Sequence, residues 1–173
     1  MKIQQNCDLF SAIVPTPFGA IGIRTAGGLV TQMAYLPPDM PHKAPQDAVA
    51  ELAAQQVARY CADADFPFTL PLAVVGSPFQ RRVWDAIRGI PRGQVRTYGE
   101  LAKYLESAPR AIGQACGDNW FPLAVPCHRV TSASGLGGFA HTSASNGYLL
   151  NVKRWLLAHE GHMEYQWRQT TLL

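Results

Sequence analysis

The sequence predicts an α+β protein with two domains, an α/β domain over residues 1–75 and a helical domain over residues 76–173. Three observations indicate this division. Residues 9–36 contain short runs of β-forming residues separated by turn signals, and helix-capping motifs begin only at Ser77. Residues 71–76, which begin with proline and end with glycine, separate the two regions. Because 47% of the 173 residues are apolar, the chain can bury a sizeable core.

The first region is expected to begin with a β-meander. Its three strands cover residues 9–14, 19–25 and 29–36, with turns at residues 16–19 and at the Gly27-Gly28 pair.

An Ala-rich helix follows the meander after a proline-rich loop. It is predicted to begin near Asp47 and to end before Phe66-Pro67, and a short strand is expected over residues 68–72. The residues that share the apolar face of this helix are Val49, Ala53, Val57 and Tyr60.

Capping chemistry predicts the first helix of the second region. Ser77 is followed by Pro78, which suits the first helical position, and by Gln80, which completes a capping box. We expect this helix to end at Gly89. Its apolar face consists of Phe79, Val83, Ala86 and Ile87.

Two further short helices are predicted close together. Thr97 and Glu100 form a second capping box, and Ser107 is expected to cap a third helix over residues 108–116. The turn at residues 105–107 gives the pair the form of a helix-turn-helix. The third helix carries small residues, which permit close approach to a nucleic-acid groove or, equally, to another helix; they are Ala108, Ala111, Gly113 and Ala115.

The net charge of +3 favours a nucleic-acid partner only weakly, but the charges are unevenly placed. Residues 39–65 are net acidic, whereas basic residues gather in the segment that would bind DNA. A solvated surface is the alternative explanation for the basic cluster. It comprises Arg81, Arg82, Arg88, Arg92, Arg96, Lys103, Arg110 and Arg129.

Neither a membrane nor a cofactor is expected. Residues 1–6 are polar and unlike a signal peptide, and no stretch is long enough to span a bilayer, which predicts a cytoplasmic protein. The four cysteines are widely spaced without a C-x-x-C pair, so we expect reduced thiols and no metal. A metal site formed by Cys7, Cys61 and His42 stays open as an alternative.

The segment Pro-Cys-His-Arg-Val at residues 126–130 places a thiol beside an imidazole. A cysteine is a strong nucleophile only as a thiolate, so Cys127 with His128 is the first candidate for chemistry. The alternative is a buried cysteine next to an unrelated histidine.

This segment and its flanks resemble the O6-alkylguanine-DNA alkyltransferase family over residues 77–162. The flanking motifs are Gly-Asp-Asn at residues 117–119 and Trp-Leu-Leu-Ala-His-Glu-Gly-His at residues 155–162. The resemblance implies a ribonuclease-H-like first domain and a winged-helix-like second domain. It also implies a monomer that binds double-stranded DNA and flips out the damaged nucleotide. The alkyl group of O6-alkylguanine, and of O4-alkylthymine, would then pass irreversibly to Cys127 in a single turnover.

The resemblance assigns a role to each catalytic candidate. His128 would take the thiol proton through a water, and Glu160 would orient the imidazole. Tyr98 would donate a proton to the departing guanine, and Asn119 would tie the recognition turn to the strand before Cys127.

The resemblance also implies DNA and substrate contacts. Arg110 would fill the gap left by the flipped base. Further DNA contacts are expected from Ala108, Ala111, Ala115, Tyr98 and Arg129. The substrate pocket is expected to contain Gly138, Phe139, Ala140 and Val130. The chain departs from familiar members in a longer segment at residues 141–146 and in Ala140, which stands where some relatives have a hydroxyl.

Three other functions fit parts of the pattern. An alkyltransferase-like protein would bind lesions without transfer, but such proteins replace the cysteine that is present here as Cys127. A cysteine hydrolase could use Cys127 and His128 on an ester. A transcription regulator would need a separate sensor site, for which the N-terminal cysteines lack the spacing.

Overall fold

A three-stranded antiparallel sheet begins the fold in the computed structural model, which describes residues 7–141 and 147–165. Its strands are β1 (Ala12–Thr16), β2 (Gly19–Ala26) and β3 (Leu29–Leu36), paired in that order. The predicted meander is therefore confirmed, although β1 begins three residues later than residue 9, which was expected.

The tight turns of the meander depend on glycine. Gly27 and Gly28 have φ angles of 59° and 76°, in the left-handed region that residues with a Cβ rarely adopt. At the other turn Gly19 has a φ of 134°, and a Cβ there would lie 2.6 Å from the Leu36 carbonyl oxygen. Both predicted turns are present.

Helix α1 (Ala48–Ala62) packs on one face of the sheet. It begins as predicted at Asp47, whose side chain accepts a hydrogen bond from the Ala50 amide at 2.8 Å. Val49 lies at the edge of the buried face and is only partly buried. The fully buried residues of α1 are Ala50, Ala53, Gln56, Val57 and Tyr60.

The strand predicted over residues 68–72 is wrong. This segment makes one isolated bridge, between Leu72 and Val30 of β3. The amide of Thr69 donates instead to the buried Gln56 side chain at 2.9 Å, so it does not pair with a neighbouring strand.

Three helices and a short strand form the next part of the chain. They are α2 (Pro78–Arg88), β4 (Arg96–Thr97), α3 (Tyr98–Tyr104) and α4 (Pro109–Gly117). Both predicted capping boxes, at Ser77 and at Thr97, are present with all their hydrogen bonds. Helices α3 and α4 pack against each other, as expected for a helix-turn-helix.

The predicted cap at Ser107 is wrong. The N-cap of α4 is Ala108, and no side chain there accepts a hydrogen bond. The Ser107 amide donates to the Ala102 carbonyl at 2.8 Å and so closes the end of α3. Pro109, which has no N–H, occupies the first turn of α4 and reduces the number of donors that need a cap.

The last elements place the Cys-His segment against α2 and the final helix. Residues Cys127–Arg129 form one 3-10 turn, and β5 (Val130–Thr131) pairs in parallel with β4. Helix α5 (Tyr148–His159) follows, and a 3-10 turn at Met163–Tyr165 ends the described chain. Because β4 leads directly into α3, its pairing with β5 holds the start of α3 near the cysteine.

Two sequence predictions concern residues outside the described ranges. These are the polar segment at residues 1–6 and most of the longer segment at residues 141–146, of which only His141 is described. No helix within the described ranges has the length and apolar character needed to cross a membrane. One hydrophobic core runs from the sheet and α1 to α5.

The two serines predicted as helix caps provide a test of local structure. We expect Ser77→Ala to lower the free energy of unfolding by about 1 kcal/mol, because it removes one of the two reciprocal hydrogen bonds of the α2 box. Ser107→Ala should change it by less than about 0.5 kcal/mol, because Ser107 caps no helix. Urea unfolding of both variants checks this, and equal losses would contradict it.

Candidate active site

Cys127 begins the 3-10 turn and lies in a largely buried position, 5% exposed. The side-chain amide of Asn119 donates to the Cys127 sulfur at 3.2 Å and to the Val125 carbonyl at 2.8 Å. Its oxygen accepts from the Phe121 amide at 2.9 Å. Asn119 thus joins the turn after α4 to the segment before the cysteine and also contacts the thiol.

The Cys127 thiol is protonated at rest. Burial raises the pKa of Cys127 well above its usual value, and the neighbouring Cys116 thiol raises it further. The Asn119 N–H and the Lys153 ammonium oppose this effect but do not overcome it. For Cys127 to react as a nucleophile, a base must first remove this proton.

The carboxylate of Glu160 lies at the C-terminal end of α5 and is almost fully buried. It accepts hydrogen bonds from Tyr60 Oη at 2.8 Å, His128 Nε2 at 2.8 Å, and Arg129 Nε and Nη2 at 2.9 Å each. Burial alone would raise the pKa of the Glu160 carboxyl, but His128 and Arg129 hold it well below its usual range. Glu160 is therefore ionised in the interior.

The partner of Glu160 determines the tautomer of His128. Because a carboxylate only accepts hydrogen bonds, the proton of the neutral imidazole lies on Nε2 and Nδ1 carries a lone pair. Burial lowers the pKa of His128, which keeps the ring neutral. Nδ1 is buried and hydrogen-bonds to no described residue, so neither ring nitrogen contacts the Cys127 sulfur directly.

The prediction that Arg129 contacts DNA is wrong. Its guanidinium points inward, with its side chain only 13% exposed. Besides its two hydrogen bonds to Glu160, it donates from Nη1 to the Ile90 carbonyl at 2.7 Å. A buried carboxylate requires a neutralising partner, and Arg129 supplies it with the fork geometry that suits a carboxylate.

Lys153 was not found by sequence reasoning, although its side chain is fully buried in the site. Its ammonium donates to the Val130 carbonyl at 2.7 Å and to the Gly138 carbonyl at 2.8 Å, and lies 5.7 Å from the Phe139 ring centre. Burial lowers the pKa of Lys153 to about 8. A signal was available, since Lys153 lies on the helical face that contains the buried Leu150.

Tyr98, the first residue of α3, lies beside the same loop. Its hydroxyl donates to the Gly138 carbonyl at 3.1 Å, and its ring lies 5.8 Å from the Lys153 ammonium. Burial, followed by the Cys116 and Cys127 thiols, raises the pKa of Tyr98, so the phenol keeps its proton.

A cavity of about 460 Å³ lies between α4 and residues 138–141, with Cys127 in its wall. Arg110 is exposed at its edge, so the cavity opens at the surface. Its lining comprises Tyr98, Pro109, Arg110, Gly113, Gln114, Cys116, Gly117, Cys127, Gly138, Phe139, Ala140 and His141. The structure therefore brings Gly138, Phe139 and Ala140, three of the four residues expected at a substrate pocket, to the wall of this cavity.

Two residues predicted at this cavity or at the DNA lie in the core instead. Val130 is fully buried in β5 and does not line the cavity. Ala115 is buried against α2, where its carbonyl accepts a hydrogen bond from Trp84 Nε1 at 2.8 Å. Ala108, by contrast, is exposed, and Ala111 is partly exposed on α4.

Tyr60 was predicted only as an apolar face residue of α1. Its ring does pack in the core, but its hydroxyl reaches Glu160. The metal site left open by the sequence is not formed, because within residues 7–141 and 147–165 no three histidine, cysteine or acidic side chains gather closely enough to bind an ion.

Comparison with known proteins assigns the chain to a family. A family model described as "6-O-methylguanine DNA methyltransferase, DNA binding domain" matches residues 78–162. A methylated-DNA--protein-cysteine methyltransferase of Mycobacterium tuberculosis is 35% identical over 128 residues, which cover 70% of this chain and 78% of that protein. The chain belongs to the methylated-DNA--protein-cysteine methyltransferase family.

Other members show how far the similarity extends. The Shigella flexneri methyltransferase is 46% identical over 99 residues, which are 55% of this chain and 53% of that protein. The match thus spans about half the length of this relative. The crystal structure of M. tuberculosis OGT in complex with DNA has a TM-score of 0.69 and 34% identity, covering 86% of this chain and 90% of that one. The methyltransferase fold therefore extends well beyond residues 78–162.

The inward position of Arg129 can be tested against an exposed ion pair. We expect Arg129→Met to lower the free energy of unfolding by on the order of 3 to 5 kcal/mol, because it leaves a buried carboxylate without its cation. Arg92→Met breaks the exposed ion pair with Asp65 and should lower the free energy of unfolding far less, because solvent screens that pair. Urea unfolding compares the two, and a small effect at Arg129 would show that Glu160 does not depend on it.

Proposed function

We propose that this chain repairs DNA by moving the alkyl group of O6-alkylguanine, and of O4-alkylthymine, to Cys127, once per molecule. Membership of the methyltransferase family supports this function. The observation that carries it is the placement of Cys127 in the wall of an open cavity, beside a buried His128–Glu160 pair. These are the nucleophile, the base and the orienting acid that a substitution at carbon requires.

The first step is removal of the thiol proton. His128 Nδ1 is the acceptor, and because it does not contact the sulfur, a water bridges the two. The imidazole becomes positively charged as it takes the proton. Glu160, which stays ionised, stabilises that charge through its hydrogen bond to Nε2.

The second step is displacement at the alkyl carbon. The Cys127 thiolate forms the new S–C bond while the C–O6 bond breaks and its electrons move onto the guanine. A proton from the Tyr98 hydroxyl compensates this charge, and general acid catalysis of this kind contributes roughly 10² to 10⁴ in rate. Guanine leaves without its alkyl group. The thioether on Cys127 is a poor leaving group, so the protein is consumed and needs no cofactor.

The base must leave the duplex before this reaction, at a cost of about a few kcal/mol. We assign the compensating contact to Arg110, which is exposed on α4 at the edge of the cavity. Ala108 and Ala111 on the same helix are small enough to allow close approach to a DNA groove. Arg129 and Ala115 no longer belong to this set, because both are buried in the protein.

We further propose that residues 1–75 form a ribonuclease-H-like structural domain and residues 76–173 a winged-helix-like domain. One contact by which the first supports the second is the hydrogen bond that Tyr60 donates to Glu160 at 2.8 Å. The molecule is proposed to act as a cytoplasmic monomer on double-stranded DNA.

Mass spectrometry tests the transfer directly. After incubation with duplex DNA containing O6-methylguanine, we expect each protein molecule to gain one methyl group on the peptide that contains Cys127. Cys127→Ala should take up no methyl and should still bind the lesion in a mobility-shift assay.

Other outcomes would contradict the transfer. Turnover of many lesions per molecule, or a label on another residue, would exclude a single-use acceptor. Hydrolysis of an activated ester without DNA would indicate a cysteine hydrolase. Lesion binding with no transfer by the unmodified chain would indicate a binding module.

The role of Arg110 in base flipping is tested by comparing the transfer rate from duplex DNA with that from a free base. We expect Arg110→Ala to slow transfer from duplex DNA by tenfold or more. Without the arginine, the flipped state loses a stabilising contact, and every increase of about 1.4 kcal/mol in the barrier slows the reaction about tenfold. Transfer from free O6-benzylguanine, which needs no flipping, should change far less. Arg59, an exposed arginine on α1, provides the control, and Arg59→Ala should leave both rates unchanged. Equal losses on the two substrates would exclude a role in flipping.

A further inference from the structure

A second thiol, Cys116, lies in the wall of the same cavity as Cys127. Cys116 is the penultimate residue of α4, and its thiol raises the pKa of the Cys127 thiol. Both side chains are largely buried, and both influence the same neighbours, Tyr98 and Lys153, electrostatically. The mechanism proposed above uses only one of the two.

The two cysteines also share their access to solvent. Both line the open cavity beside α4. Both also line a second cavity, of about 200 Å³, which lies on the side of strand β3 and includes Tyr35 and Asn119. A small solute that reaches one sulfur through either cavity therefore reaches the other.

We propose that Cys116 and Cys127 form a reversible disulfide on exposure to a peroxide, and that Cys127 cannot accept an alkyl group while this bond is present. The consequence for transfer rests on the proposed function, whereas the disulfide itself does not. Cys116 is then the resolving thiol of the site.

The chemistry balances with hydrogen peroxide as the oxidant. The Cys127 thiolate attacks one peroxide oxygen, the O–O bond breaks, and hydroxide leaves, so that Cys127 becomes a sulfenic acid. The Cys116 sulfur then attacks the Cys127 sulfur; the S–S bond forms, the S–O bond breaks, and the hydroxyl departs with the Cys116 proton as water. Overall the two thiols lose two electrons and two protons, and peroxide is reduced to two waters.

A neighbouring thiol changes the fate of the oxidised acceptor. Without a partner, a sulfenic acid proceeds to sulfinic and sulfonic acids, which thiol reductants do not reverse. With Cys116 in the wall of the same cavity, disulfide formation is intramolecular and captures the sulfenic acid first. A protein that can be used only once thereby keeps an unspent acceptor in a recoverable form.

The disulfide is detected by a peptide map without reduction. The unmodified protein is treated with hydrogen peroxide, unfolded with its free thiols blocked, and digested with chymotrypsin. This protease cuts after Trp120 and Leu123 and so separates Cys116 from Cys127, which trypsin leaves on one peptide. We expect a cross-linked pair of peptides that lacks two hydrogens and separates with dithiothreitol.

Variants distinguish a resolving thiol from general oxidation. Cys61→Ser, on α1 and away from both cavities, should give the same cross-link as the unmodified chain. Cys116→Ser and Cys116→Ala should give none, and should accumulate Cys127 sulfinic acid instead. Methyl transfer is measured for each protein before oxidation and again after treatment with peroxide and then dithiothreitol. The recovered fraction of the initial activity should be several-fold higher for the unmodified chain than for the Cys116 variants.

Each result counts for or against the proposal. A peroxide dose that oxidises Cys127 without producing the Cys116–Cys127 cross-link would overturn it. So would equal recovery in the Cys116 variants and the unmodified chain. If the chain transferred no methyl group, the proposed function would fail, but the cross-link would still report on the thiol pair.

Discussion

The buried negative charge of Glu160 is the constraint on which the site depends. A carboxylate in the interior is stable only if every oxygen is paired, and here the donors come from α1 and from the turn that begins with the cysteine. Because Arg129 and His128 are held by the same group, the backbone of that turn is fixed together with the imidazole. The orientation of the His128 imidazole and the stability of the core are thus aspects of one network.

A second buried charge holds the opposite side of the cysteine. Lys153 joins the carbonyls of Val130 and Gly138, and thereby ties β5 to the loop that lines the cavity. Glu160 fixes the His128 ring, and Lys153 fixes the loop that lines the cavity. Burial and Cys116 raise the pKa of the Cys127 thiol more than the Lys153 ammonium lowers it.

Local signals in the sequence predicted more of the fold than of the site. The capping boxes at Ser77 and Thr97 depend only on residues close in the chain, so the sequence pattern was sufficient to predict where those two helices begin. Ala115 and Arg129 were placed on the DNA because sequence alone does not determine which side of an element meets another helix or a buried charge. Tyr60 illustrates the same limit, since an apolar pattern predicted its ring correctly and gave no sign of the partner of its hydroxyl.

The hydrogen bond from Tyr60 to Glu160 has a consequence for engineering the molecule. Tyr60 lies outside residues 78–162, which the family model covers, yet its hydroxyl donates a hydrogen bond to the Glu160 carboxylate inside that range. A chimera that takes its first region from another protein would have to supply a donor at the same point in space. Without such a donor, the Glu160 carboxylate of the chimera would lack one hydrogen bond and would hold the His128 imidazole less firmly, even if every residue of the Cys-His segment were retained. The first region is in this sense part of the charge network that holds His128.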